Sequence, residues 1–113
     1  MRSRAKTAAA PESPAPVFAA LGDTTRLWLV SRLCDDGPLS IMRLTAGSGV
    51  TRQAITKHLR VMERAGVVQS TRRGRESVWQ LDRRRMRHAR RYLDMISRQW
   101  DEKLARLRIF VED

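Results

Sequence analysis

The stretch TRQAITKHLRVMERAGVV, from Thr51 to Val68, carries two chemistries on one helical period. Ile55, Leu59 and Met62, with Ala54 beside them, recur at helical spacing and form a stripe that has to find a hydrophobic core. The opposite face presents Arg52, Gln53, Thr56, Lys57 and Arg60, which are cations and hydrogen-bonding groups with no acid among them. Thr51 is placed to cap this helix and Gly66 to stop it. A short helix that is apolar behind and basic and amide-bearing in front suits the DNA major groove. There Arg pairs bidentately with guanine and Gln with adenine, and Thr bonds a base edge or packs on a thymine methyl. The competing account of the same residues is a merely solvated helix face. The surrounding chain decides between them.

The overall charge balance favours a polyanionic partner. The chain of 113 residues has a formal net charge of +11 and a pI of about 11.5, which makes nucleic acid the first candidate and an anionic membrane surface the second. Its length allows one domain with a modest core. No apolar run approaches the roughly 20 residues that a spanning helix needs, and the N-terminus lacks the apolar centre of a signal peptide. The single Cys34 excludes an intramolecular disulfide and fits a reducing cytoplasm. With 2 histidines and 1 cysteine, and without a Gly-rich phosphate loop, no set of nucleophile, base and orienting group is visible. An enzyme is therefore not expected.

Taken in order, the chain begins with an arm, residues 1–16, that is basic, rich in Ala, Ser and Pro, and without apolar periodicity; it reads as disordered. The folded unit then runs over residues 17–113. Phe18 and Leu21 suggest a short first helix ending near Gly22. Asp23 caps a second, Thr24 to about Asp35, whose buried face is expected to be Leu27, Val30, Leu33 and Cys34 with Trp28 and Leu29 on its flanks. Asp36-Gly37-Pro38 ends it by turn chemistry. Leu39 can form a strand of one or two residues before Ser40 caps a third helix, Ile41 to about Ala46. The Gly47-Ser48-Gly49 turn then leads into the Thr51 helix. Two short helices across a tight Gly-containing turn make a helix-turn-helix.

Beyond Gly66 the period changes from helix to strand. Residues 67–72 and 76–81 read as two strands joined at Arg73-Gly74-Arg75. Three arginines, Arg72, Arg73 and Arg75, around one glycine suit a phosphate or minor-groove contact, and a solvated turn is the plainer alternative. In this position the hairpin is the wing of a winged helix. The last segment, about 83–111, contains no Gly or Pro and reads as one helix of roughly 40 Å at about 1.5 Å per residue. Met86, Ala89, Leu93, Ile96, Trp100, Leu104, Leu107 and Val111 fall at steps of three and four and draw a narrow seam along it. So long a helix outruns a small domain, so the seam is expected to continue onto a second copy of the chain. The arginines of its first half, Arg83 to Arg91, read as a solvated face in preference to a DNA contact.

The words LGDTTRLWLVSRL, GPLSIMRL, TRQAITKHLRVMERAGVV and RRGRESVWQLD resemble the ArsR (SmtB/ArsR) family of bacterial winged-helix repressors over about Val17 to Asp113. The most specific parts are Lys57-His58-Leu59 and the run Ala65 to Val68. The family's D-P-T-R start of the second helix stands here as Asp23-Thr24-Thr25-Arg26, without the proline. The resemblance implies a mainly α fold with a small β-hairpin: a winged helix-turn-helix with a long C-terminal dimerisation helix. It implies a homodimer joined through the first and last helices, with Phe18 and Leu21 on the former and Leu93, Ile96, Trp100, Leu104 and Leu107 on the latter. Each protomer would set one helix into successive major grooves of an inverted-repeat operator in double-stranded DNA. The reading positions that correspond are Thr51, Arg52, Gln53, Thr56 and Lys57, with Arg60 on phosphate and Arg72, Arg73 and Arg75 at the wing. His58 has three readings: packing in the helix-turn-helix, reaching a phosphate, or titrating as a switch.

One departure narrows the type. Metal-sensing members carry a Cys-x-Cys pair on the third helix, and here Ser40 and Met42 stand in those places. The long helix offers a single histidine, His88, without carboxylates at ligand spacing. Zinc-type ions need thiolate and imidazole clusters, so no metal or other cofactor is expected and the effector stays open. Two alternatives share the architecture. A MarR-type regulator differs mainly in its dimer, and a winged helix for RNA or protein interaction would discriminate little between specific and random duplex DNA.

Overall fold

A computed structural model describes residues 13–112 of the protein. Most of the expected N-terminal arm, residues 1–12, lies outside that range. Among the described residues five helices and three strands follow one another as α1 (Ala15–Leu21), α2 (Thr24–Asp36), β1 (Leu39–Ser40), α3 (Ile41–Thr45), α4 (Arg52–Arg64), β2 (Val68–Arg73), β3 (Glu76–Leu81) and α5 (Arg83–Glu112). The three strands form one antiparallel sheet in the order β1-β3-β2. This is a winged helix-turn-helix with a long C-terminal helix. The first helix opens at Ala15, two residues ahead of the limit expected for the arm, because Pro16 sits in its first turn, where a missing N–H costs nothing.

Local chemistry sets the boundaries of α4. Thr51 Oγ1 accepts from the Ala54 N–H at 3.1 Å and caps the helix. At the other end the Gly66 N–H bonds the Glu63 carbonyl at 3.0 Å and the Val67 N–H reaches back to Met62 at 2.9 Å. Those two bonds make a Schellman cap, which needs the left-handed φ of +82° that Gly66 supplies. The accompanying apolar contact falls between Met62 and Val67, both fully buried. The cap uses Val67 as its last residue, so β2 begins one residue later than expected. At the hairpin tip Arg73 pairs with Glu76. The turn therefore consists of Gly74 and Arg75 alone, with φ of +62° at the glycine, as a type II′ turn requires at its first position.

The core sits where α4 crosses the other helices. Ile55, Leu59 and Met62 are completely buried and meet Val17 and Ala20 of α1, Leu29 and Leu33 of α2, Leu44 of α3 and Trp79 of β3. The buried face of α2 differs from the one expected. Leu29 and Leu33 point inward, whereas Leu27 is 51% exposed and Cys34 is exposed, with Val30 only partly buried. Leu27, Trp28, Leu29 and Val30 are all apolar, so periodicity alone does not choose the inward stripe. Arg26 chooses it: its Nε donates to the Ala20 carbonyl, which turns the 26-29-30-33 face toward α1 and the core.

The first turns of α5 join this core through Ala89 and Met86. From Arg90 to Val111 every side chain of α5 is exposed. The radius of gyration, 18.6 Å, exceeds the roughly 13 Å of a compact domain of about 100 residues because the distal part of α5 projects away from the body. Leu59 is the central residue of the buried stripe. Leu59→Ala is expected to lower unfolding free energy by about 2–5 kcal/mol, because a cavity is left among neighbours from four elements. Urea unfolding followed by circular dichroism reads that loss directly.

Candidate nucleic-acid interface

Burial of the Ile55-Leu59-Met62 stripe turns the opposite face of α4 outward. Arg52, Gln53, Lys57 and Arg60 are all exposed, and Thr56 is half-buried. The residues are not equivalent. The Thr51 side chain serves as the helix cap. The Thr56 hydroxyl donates to the Arg52 carbonyl at 2.9 Å, which leaves its methyl as the group offered outward. Arg60 bonds Glu63 at 3.0 Å, and its guanidinium lies 5.5 Å from the centre of the Trp79 ring. It is thereby held at the helix edge. Among the described residues Arg52, Gln53 and Lys57 carry no such restraint.

A cleft of about 290 Å³ separates this face from the wing. Arg52, Thr56 and Arg60 line one side, Arg75 and Glu76 the other, and Trp79 lies beneath. Three guanidiniums against one carboxylate give the cleft a positive sign. Of the wing arginines, only Arg75 reaches it. Arg72 and Arg73 are neighbours in β2 and point to opposite faces of the hairpin. Trp79, the floor that orients Arg60, is a residue sequence reasoning left unassigned. Its position in the central strand, paired with Leu39 on one side and Ser70 on the other, emerges only from the sheet.

Behind α4 lies a second arrangement. Asp23 caps α2 by accepting from the Arg26 N–H at 3.0 Å. Arg26 spans to α1 through the Ala20 carbonyl and to α4 through His58, whose Nδ1 lies 3.2 Å from Arg26 Nη1. Guanidinium only donates, so this contact uses the Nδ1 lone pair. Asp23 Oδ2 is 3.8 Å from the same nitrogen. The geometry thus sets His58 against Arg26 and Asp23 at the start of α2. The signal was present in the sequence, since Asp23 and Arg26 are two of the three residues that match the family's D-P-T-R word.

The positions expected for dimer contacts divide in two. Phe18 and Leu21 are partly buried against their own core, and the Phe18 ring meets Tyr92 of α5 at 6.3 Å and 48°. Leu93, Ile96, Trp100, Leu104 and Leu107 are all between 41% and 60% exposed. At the two places where metal-sensing relatives have cysteines, the Ser40 hydroxyl accepts from the Arg43 N–H at 3.3 Å and Met42 is 65% exposed.

The fold and this face define a winged helix-turn-helix regulator. No family model matches the sequence. Over 55% of the chain and 74% of the relative, it is 41% identical to the HTH-type transcriptional regulator YuzN of Bacillus subtilis. It is 39% identical to the HTH-type transcriptional regulator Rv2034 of Mycobacterium tuberculosis over 62% of the chain, a match that spans 64% of that protein's length. An ArsR-like transcriptional regulator from Rhodococcus sp. RHA1 superposes with a TM-score of 0.72 at 35% identity, covering 83% of this chain and 88% of the other. The protein belongs to the ArsR family of winged-helix transcriptional regulators. Among the described residues no helix is long and apolar enough to cross a membrane.

The N–H of Arg26 holds the Asp23 carboxyl below its ordinary value of 3.8, opposed by desolvation and assisted by the charge of Arg26. A depressed carboxyl contributes stability that is complete above 3.8 and is lost as pH falls through the lower folded value. In Asp23→Asn this loss should be missing. The urea midpoint of the native protein should then drop more between pH 6 and pH 2 than that of the variant, and parallel curves for the two would show that the cap carries no such charge effect.

Proposed function

We propose that the protein is a homodimeric repressor that binds an inverted-repeat operator through α4 and the wing. One observation carries the reading: α4 is anchored by a fully buried stripe and offers Arg52, Gln53, Thr56 and Lys57 outward beside a cationic wing. Arg52 suits guanine and Gln53 adenine, and the outward methyl of Thr56 suits thymine. Arg60 and Arg75, on either side of the cleft, suit phosphates and fix register. Arg73, next to the hairpin tip, suits a further phosphate, with Arg72 on the other face of the strand.

The exposed seam of α5 supports the dimer. Leu93, Ile96, Trp100, Leu104 and Leu107 form an apolar band that a two-fold mate would bury, with Phe18 and Leu21 at its proximal edge. Two copies related in this way present two α4 helices about one turn of DNA apart. Repression follows when the operator overlaps a promoter. The inducing signal is not a metal at positions 40 and 42, where a capping serine and an exposed methionine supply no thiolate. The site of action is the cytoplasm, where the DNA lies.

A gel shift on the DNA upstream of its own gene, against excess random duplex at near-physiological salt, tests the reading. A discrete complex that random DNA does not remove is expected, and a smear that it does remove overturns sequence-specific regulation. Arg52→Ala or Gln53→Ala should cost about 1–3 kcal/mol on the operator and little on random DNA. Arg73→Ala should weaken both alike and reduce the salt slope by about 1. Trp100→Asp should convert a sedimenting dimer into a monomer at micromolar concentration.

A further inference from the structure

A second cavity, of about 460 Å³, opens where α2, β3 and α5 meet. Its floor is apolar: Leu33 and Pro38 from the end of α2 and its turn, Leu81 from β3, and Met86 from α5. Leu33 belongs to the core, and Leu81 and Met86 pack against it, so the recess is set into the body of the domain. Its rim is cationic. Arg83, Arg87 and Arg90 line it from successive turns of one face of α5. Arg90 has Asp94 at 3.9 Å, while Arg83 and Arg87 have no acidic partner among the described residues.

From this geometry we infer that the cavity binds an amphipathic monoanion, a carboxylate head on an apolar body, as the effector of the regulator proposed above. The inference deepens that reading and rests on it only for the word effector. The two halves of the cavity ask for different things. A simple anion would leave the apolar floor in water, and a neutral apolar molecule would gain nothing from the exposed, hydrated guanidiniums of the rim. DNA phosphates need a cationic ridge but no recess. The volume lies within the range of small-molecule sites, roughly 300–1,000 Å³. At about 30 Å³ for an atom the size of water it holds about 15 non-hydrogen atoms, the size of a medium-chain carboxylic acid. The walls join the end of β3, which leads back to the wing, to the turns of α5 that precede the exposed seam. A ligand seated there therefore touches the DNA-facing and self-facing elements at once.

Isothermal titration of the full chain with decanoate tests this, with acetate and 1-decanol as the head and the body alone. Saturable binding of decanoate at one per protomer is expected below about 1 mM, with neither control binding. In the double variant Arg83→Gln/Arg87→Gln, decanoate affinity should fall about tenfold or more, as loss of charge-assisted contacts does. The variant's unchanged melting temperature would show that the fold is intact. No saturable binding, equal binding of 1-decanol, or equal affinity in the variant overturns the proposal. A variant that binds decanoate normally but all duplex DNA weakly would assign the arginines to phosphate instead. Titration needs no DNA, so it stands whether or not the operator complex forms. Where that complex does form, decanoate should shift its affinity in the native protein and not in the variant.

Discussion

Everything that α4 presents outward depends on its opposite face finding the core. Ile55, Leu59 and Met62 are wholly removed from water, and burial of three large side chains on one helical stripe leaves no freedom of rotation about the helix axis. Arg52, Gln53 and Lys57 face outward as a consequence. The constraint extends beyond the helix. Met62 closes the Schellman cap with Val67, and Val67 and Val68 are buried as the chain leaves it. Because a strand alternates faces at a period of two, anchoring its first residue settles the facing of the whole hairpin. The wing arginines are thus placed relative to α4 by the same apolar cluster that orients α4.

The polar network behind α4 does a different job. Apolar packing fixes the rotation of α4 but tolerates sliding along its axis, whereas hydrogen bonds have narrow geometry. Arg26 reaches α1 through Ala20 and α4 through His58, and its own N–H binds the cap of α2. One side chain therefore ties three helices at a single point. It lies on the side of α4 opposite the outward face, so it can set the height of Arg52 and Gln53 without touching anything they touch.

Much of this fold was legible in the sequence because its signals are local. Thr51 and Gly66 announce the ends of α4, the 55-59-62 spacing announces its buried side, and Arg73-Gly74-Arg75 announces the hairpin tip. The family words carried the architecture further, as the similarity to the Rhodococcus structure shows. What was missed depends on contacts distant in sequence. Four consecutive apolar residues on α2 leave its inward face undecided, and the expected stripe includes Leu27 and Cys34, which the bond from Arg26 turns out. Trp79 reads as one more strand aromatic until the sheet brings it beneath Arg60. On the exposed face of α4 the sequence sets Thr51 as a cap and Arg60 toward phosphate, but it does not separate Thr56 from Arg52, Gln53 and Lys57. The structure divides that face into residues already bonded to their own helix or its neighbour, Thr51, Thr56 and Arg60, and residues that are not.

The long helix links two surfaces of this protein. Its proximal turns belong to the body, with Ala89 buried and Met86 packed on the core. Beyond Tyr92, which meets Phe18 of α1, the helix projects outward and has apolar residues exposed along one side. A rigid rod anchored over two turns behaves as a lever, so a small rotation at residues 83–89 becomes a large displacement at Trp100 and Leu104. The same two turns abut the end of β3, whose other end is the wing. Asp82 joins them: its N–H bonds the Val67 carbonyl at 2.9 Å, and its carboxylate caps α5 through Arg85 at 3.2 Å. A change in how α5 leaves the body would therefore alter the wing and the position of the exposed seam together. The arginine-rimmed cavity occupies that junction, where a small molecule can reach both.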